Sequence, residues 1–301
     1  MSSSGEQHAS LPSGIDLCYE TFGDPNDPAM LLVMGLGGPM GWWATELCEK
    51  LAARGFLVIR YDNRDTGRST KLSQHRVTRT DIVRAFLLPG RSRPPYTLDD
   101  LADDAVGLLD HLGIDRAHVV GVSMGGMIGQ ILAIDHADRV LSFTSIMSTT
   151  GRRTVGRAHP KLFRAILSSA GPNRDTYTER AVRTAELIGS PAYPPERDAS
   201  VARAHETYDR GWSASGVARQ TLAVLTQTDR TERLADVKVP VTVIHGTKDL
   251  LVNSSGGRAT ARAIRGAKHL EIPGMGHDLP PALYDTFVDA IVATAERAVD
   301  R

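Results

Sequence analysis

The sequence predicts an α/β fold in which a mostly parallel sheet is covered by helices on both faces and interrupted once by a helical insertion. Three observations carry this. Apolar runs of strand length alternate with helical patterns along most of the chain; the alternation stops between about Gly151 and Ala235; and one short segment, "HVVGVSMGGMIGQ", passes from strand to helix across a single serine.

The strand-like runs are "AMLLVMG" from Ala29, "FLVIRYD" from Phe56, "AHVVGVS" from Ala117, "LSFTSIM" from Leu141, "VPVTVIHG" from Val239 and "KHLEIPG" from Lys268. Near-continuous apolar strands separated by helices signal parallel pairing, because the crossover helices bury both faces of the sheet. One such helix is marked by Thr97 and Asp100 as a capping box. It carries Leu98, Leu101, Ala105, Leu108, Leu109 and Leu112 on one face, with Asp99, Asp103 and Asp104 expected on a solvated face. Within the interruption, Tyr177, Ala181, Ala185 and Ile188 recur at helical spacing, "GSPAYPPE" breaks the chain, and a further helical stretch covers Val201 to Tyr208. The chain thus divides into a first part of the core at 1–150, a helical cap at 151–235 and a second part of the core at 236–301. The cap holds 14 Lys and Arg against 9 Asp and Glu, so it carries +5 and the remainder −5. A solvated helical surface accounts for that excess more simply than an anionic substrate does.

Over the whole chain 35 Lys and Arg balance 35 Asp and Glu, so the basic excess of a nucleic-acid or membrane-surface binder is missing. The ligand is expected in a pocket. Cys18 and Cys48 lie far apart without metal-ligand spacing, which fits a reducing compartment and two buried small hydrophobes. The opening "MSSSGEQHASLPSG" has neither a basic start nor an apolar core, and no run approaches the ~20 apolar residues of a membrane span. A soluble, cytoplasmic protein with no nucleic-acid or membrane partner is expected.

Val119, Val120 and Val122 are β-branched and read as a buried strand, Met124 to Ile134 reads as an apolar helix, and Ser123 is the junction. A strand that turns into a helix within one residue strains that residue and crowds the positions two before and two after it. Gly121 and Gly125 relieve the crowding by lacking a Cβ. Gly-x-Ser-x-Gly in this setting is a nucleophile elbow, which presents the serine Oγ at the carboxyl end of a sheet. The alternative is that the glycines serve only close packing and Ser123 is a helix N-cap.

A serine hydroxyl needs a base, usually a histidine oriented by a carboxylate. Of the ten histidines, His277 stands in "EIPGMGHDLPP", a loop directly after the last strand-like run, where Gly274 and Gly276 let the chain reach back toward Ser123. His245 also follows a strand and is its best competitor; His118, His111 and His136 are placed for packing or surface roles. Asp249 follows "VPVTVIHG" by three residues, at the same carboxyl edge where open α/β sheets bind ligands. Asp65 and Asp278 compete with it. Ser123, Asp249, His277 is the chain order of α/β hydrolases. Two backbone donors for an oxyanion are then expected: Met124 N–H after the nucleophile, and Leu36 N–H in "LLVMGLGGPMGWW". That glycine cluster is not a dinucleotide fingerprint, since Met40 occupies the third glycine position. In "YDNRDTGRS", Asp62, Arg64, Asp65, Arg68 and Ser69 are expected to form a structural network, because buried charges come paired. Trp42, Phe163, Tyr208 and Trp212, with Trp43, Phe86 and Leu87, are candidates to line an apolar pocket.

With "VMGLGG", "YDNRDTGRST", "GVSMGG", "IHGTKD" and "GMGHDLP" in that order, the chain resembles α/β-hydrolase-fold serine esterases over nearly its whole length. It is similar to the bacterial aclacinomycin methylesterase-like hydrolases in "LLVMG" and "RDTGRS". The resemblance implies an α/β-hydrolase fold with a helical cap after the sixth strand. It also implies hydrolysis of a small-molecule carboxylic ester without cofactor or metal, by Ser123, His277 and Asp249. Met34 departs from the histidine that many relatives carry before the glycine, which bears on substrate rather than on main-chain oxyanion donors. A serine elbow disfavours epoxide hydrolases and haloalkane dehalogenases, which use aspartate there. Perhydrolase or haloperoxidase-like chemistry and C–C bond hydrolysis run on the same triad, and a ligand receptor that does not turn over keeps the fold. Pocket size, the ester itself and the oligomeric state stay open.

Overall fold

The computed structural model describes residues 3–162 and 173–299. Its strands are β1 (Gln7–Ser10), β2 (Asp16–Phe22), β3 (Ala29–Val33), β4 (Leu57–Tyr61), β5 (Ala117–Val122), β6 (Val140–Ile146), β7 (Val241–Gly246) and β8 (Lys268–Ile272). They form one sheet in the order β1-β2-β4-β3-β5-β6-β7-β8. Pairing is antiparallel at β1/β2 and β2/β4 and parallel from β4 through β8.

All six expected runs are strands, but β1 and β2 were not among them. "QHAS" and "DLCYETF" mix polar and apolar residues without a clean period of two and lack the longer continuous apolar run of the central strands. Leu17 and Tyr19 face the core and Glu20 lies between its strand and solvent.

The period of two along each central strand separates two cores. Leu31, Val33, Ile59, Val119 and Val243 pack beneath α3 (Leu98–His111) and α4 (Met124–Asp135). Met30, Leu32, Val58, Val120, Val122 and Ile244 pack against α1 (Thr45–Ala52) on the opposite face and against the chain's final described helix, Tyr284–Val299. Every residue of α4 from Met124 to Ala133 is buried, which is why its sequence is apolar all round instead of amphipathic. The Thr97–Asp100 capping box is formed, but Asp104 is not on a solvated face. It is 2% exposed and receives both Nε and Nη2 of Arg64 at 2.6 Å, a long-range pair that helix periodicity does not encode.

Between α1 and α3 lies α2 (Arg79–Leu87), and after β6 the chain leaves the sheet. The described residues of the insertion form α5 (Arg174–Ile188), α6 (Arg197–Asp209) and α7 (Ala214–Thr226), with no strand among them; α8 (Ser255–Ala263) and α9 (Tyr284–Val299) return to the core. The basic excess of the insertion is not all solvated. Arg219 pairs with Asp65 at 2.6 and 2.7 Å, with both side chains fully buried, and Arg210 reaches Asp62 at 2.9 Å. The expected network in the loop after β4 therefore exists, but much of its positive charge comes from the insertion. Asp62 also accepts from the backbone of Met40 and Arg68, and Tyr96 donates to Asp65. Cys18 and Cys48 are buried and unpaired as thiols. Among the described residues, no helix is long and apolar enough to cross a membrane.

Candidate active site

Three loops at the carboxyl edge of the sheet converge. At the first, β5 turns into α4 through Ser123, whose backbone sits at φ 55°, ψ −116°. A Cβ on Gly121 would lie 2.2 Å from Gly125 O, and one on Gly125 would lie 2.0 Å from Val33 O, so neither position tolerates a side chain. The strained backbone is held from several sides: Ser123 N–H donates to Ile146 O at 2.9 Å, and Ser123 O accepts from Gly126 N, Met127 N and the Ser148 hydroxyl. The Ser123 side chain makes no capping bond to α4. Ser123 thus stands at the N-cap position without capping the helix through its hydroxyl.

At the second loop, three residues past β7, the carboxylate of Asp249 is 3% exposed. Its Oδ1 accepts from the backbone N–H groups of Leu251 and Val252 at 2.9 and 2.8 Å. Its Oδ2 lies 2.7 Å from His277 Nδ1 and 3.3 Å from His245 Nε2. Burial alone would raise the pKa of Asp249. The charge of His277 and hydrogen bonds from His245 and His277 outweigh it and lower the value to about 2.

The third loop follows β8 and brings His277 Nε2 to 3.0 Å from Ser123 Oγ. A carboxylate oxygen can only accept, so Nδ1 carries the hydrogen toward Asp249 and Nε2 turns its lone pair to the serine. The loop is docked on the insertion: His277 N–H donates to Ile188 O at 2.7 Å, and Gly276 N–H to Ser190 Oγ at 2.8 Å. A Cβ on Gly276 would meet Gly189 O at 2.2 Å. Ser123, Asp249 and His277 are thus brought together.

The competitors are engaged elsewhere. His245 is fully buried, with Nε2 2.7 Å from Val252 O, behind Asp249 as seen from His277. Asp278 accepts the Ser190 hydroxyl, and burial raises its pKa despite that bond. Asp65 is taken by Arg219. His118 packs in the sheet against Ser142 Oγ at 2.8 Å, and burial lowers its pKa to about 4.

Beside the serine, a Cβ on Gly35 would sit 3.2 Å from Ser123 Cβ, so the loop after β3 abuts the elbow. Leu36 N–H lies in that loop and Met124 N–H opens α4; neither has an acceptor among the described residues. Of the aromatic candidates, Tyr208 and Trp212 pack on Tyr177 with ring centroids 5.5 and 4.5 Å away. Trp212 borders a small cleft with Gly37, Pro39, Gly67, Thr207 and Val217. Trp42 is 37% exposed and donates through Nε1 to Thr207 Oγ1 at 3.0 Å. Phe163 lies outside the described residues. Trp43 is fully buried in the core and lines no pocket, while Phe86 and Leu87 are exposed on α2. Gln220, Arg210, Arg219 and Ser190 are not legible in this region from sequence, because each meets its partner from more than 80 residues away.

Sheet, insertion and converging loops define a class, the α/β hydrolases. The chain belongs to the family described as alpha/beta hydrolase fold, whose sequence profile matches residues 28–280. It is 30% identical to "Rhodomycin D methylesterase DauP" of Streptomyces sp. (strain C5), over 94% of this chain and 96% of that one. Against "Rhodomycin D methylesterase DnrP" of Streptomyces peucetius the identity is also 30%, with the same coverage. Among solved structures, the enol-lactonase from Burkholderia xenovorans LB400 matches with a TM-score of 0.74 at 26% identity, over 96% of this chain and all of that one. Within the family this chain is a carboxylic ester hydrolase.

Proposed function

We propose that the chain cleaves a carboxylic ester of a small to medium, largely apolar substrate through an acyl-enzyme on Ser123. The observation that carries this reading is the unbroken line from Ser123 Oγ to His277 at 3.0 Å and on to Asp249 at 2.7 Å. Ser123 Oγ attacks the acyl carbon while His277 Nε2 takes its proton, and the carbonyl electron pair becomes an oxyanion facing Leu36 N–H and Met124 N–H. Asp249, ionised at neutral pH, orients the imidazole and stabilises its cation. The cation then returns the proton to the departing alkoxide. Water, deprotonated by His277, releases the acid and restores the serine.

An apolar substrate is the reading favoured by the aromatic residues of the insertion, Tyr208 and Trp212, which pack together on Tyr177. Because two relatives are named methylesterases, methyl esters are the first alcohol part to test. We also propose the segment 151–235 as the cap that roofs the pocket.

Replacing the nucleophile is the direct test. Ser123→Ala should lower kcat on aryl and methyl esters by about 10⁶ where chemistry limits turnover. An organophosphonate should label Ser123 in the wild type and leave the variant unlabelled by mass spectrometry. Turnover by Ser123→Ala, or an adduct on another residue, overturns the reading.

A further inference from the structure

Gly35, Leu36, Gly37 and Gly38 form a four-residue turn closed by Gly38 N–H donating to Gly35 O at 3.2 Å. Gly37, third in the turn, has φ +69°. That is the type II arrangement, in which the central peptide is rotated by about half a turn relative to type I. Glycine at that position takes the positive φ without steric cost, and the turn's place beside the elbow depends on what holds it from outside.

In this structure Gly37 N–H donates to Gln220 Oε1 at 2.8 Å. Gln220 is fully buried on α7. Its Nε2 donates to Arg64 O at 2.8 Å and to Thr66 Oγ1 at 2.9 Å. The amide orientation is dictated by its neighbours, since a backbone N–H needs an acceptor and a carbonyl needs a donor. The reversed amide would leave Gly37 N–H and Arg64 O unsatisfied in a buried site. The helix bearing Gln220 is packed tightly here: a Cβ on Gly37 would lie 3.0 Å from Val217 Cγ2, and one on Gly216 would lie 2.4 Å from Asp65 O.

We infer that Gln220 is a positioning residue for the oxyanion site: by accepting from Gly37 N–H it tethers the Gly35–Gly38 turn to α7 and so holds the loop that carries Leu36 N–H against the elbow at Ser123. The inserted helix then completes the catalytic machinery besides covering it. The planar Gly35–Leu36 peptide is held on one side by the Gly38 bond, and the turn beyond it is held by Gln220. Without the amide, the turn loses its tether to α7, and the loop carrying Leu36 N–H can shift relative to Ser123.

The inference rests on the reading of Ser123 as nucleophile and Leu36 as donor, and the experiment separates the two. Gln220→Met keeps the volume and removes both the acceptor and the donors; Gln220→Glu keeps an acceptor for Gly37. All rates are expressed per active serine, counted by organophosphonate titration. Two probes are bound: an alkyl trifluoromethyl ketone, which adds Ser123 Oγ to its carbonyl carbon and places the resulting oxyanion at the donors, and the matching trifluoromethyl alcohol, which cannot add. For Gln220→Met, kcat and ketone affinity should each fall about 10- to 100-fold, less than the ~10²–10³ lost when a donor itself is removed. Alcohol affinity and KM should change less than about threefold, and Gln220→Glu should lose less ketone affinity than Gln220→Met. An unchanged ketone affinity, or equal losses for ketone and alcohol, overturns the role of Gln220. If Gln220→Met does not fold, the same comparison of probes is read from Gln220→Glu alone, with ketone affinity reduced and alcohol affinity kept. A wild type that forms no ketone adduct on Ser123 instead overturns the underlying nucleophile assignment.

Discussion

Asp249 was chosen from sequence by position alone, three residues beyond a strand, and its surroundings explain why that position suits an acid. Four donors address one carboxylate: Leu251 N–H, Val252 N–H, His277 Nδ1 and, at the longest distance, His245 Nε2. An amide at this site keeps an acceptor but cannot stabilise an imidazolium, and it favours the wrong histidine tautomer. Asp249→Asn should therefore reduce kcat by ~10⁴, as in serine-protease triads, with activity recovering as pH rises because hydroxide substitutes for the lost base. A pH–rate profile of both forms checks this; near-normal turnover of the variant at neutral pH would move the acid elsewhere. Since the folded pKa lies near 2, below the ordinary 3.8, this carboxylate adds stability above pH 4 that is lost as pH falls toward 2. Asp249→Asn should accordingly flatten the acid limb of a melting-temperature curve. The meeting of Ser123, His277 and Asp249 was legible because each is tied to a strand end by a short loop. His245 was legible as a histidine but not as a neighbour of Asp249, because a turn had to fold before the two met.

The β5–α4 junction is the element whose sequence is most constrained by geometry. Gly125 packs against the end of β3 so closely that a methyl would strike the Val33 carbonyl, a backbone atom with no room to yield. Gly125→Ala should destabilise by about 1–3 kcal/mol or more, read as a lower urea midpoint at unchanged slope. The surviving folded protein should also turn over slowly, since any shift of α4 carries Ser123 away from His277. A midpoint equal to wild type would show that β3 and α4 are not in contact as described. The elbow glycines could be read from sequence because the requirement is local. The β1–β2 hairpin could not, since short segments of mixed polarity are also the pattern of a loop, and only the pairing with β4 distinguishes them.

Over the whole molecule, charge that balances in total is distributed so that the insertion and the core attract each other. The Arg219–Asp65 pair is fully buried and bidentate, and Tyr96 and Leu72 N–H complete the carboxylate's shell. Removing one partner strands the other. Arg219→Met should cost about 3–5 kcal/mol in denaturant unfolding, and the loss should change little between low and high salt. Exposed pairs such as Arg54 with Asp289 should contribute no more than about 1 kcal/mol and fade with salt. A strong salt dependence of the Arg219 effect would contradict the burial described. The count of charges in the insertion was plain from the sequence, but which of them point inward depends on partners some 150 residues away.

The order of the sheet has a consequence for biosynthesis. β3, β5 and β6, which seat Ser123, are made before the insertion, whereas β7 and β8 add to the free edge of that template only after the whole insertion has been made. Domains gain structure from the amino-terminal side during synthesis. A nascent chain that already displays Ser123 on its elbow therefore lacks both His277, the proposed base, and the helix proposed to steady the loop after β3. On the proposed mechanism, chronology alone would keep the serine an ordinary alcohol until β8 and the loop bearing His277 have been translated and paired.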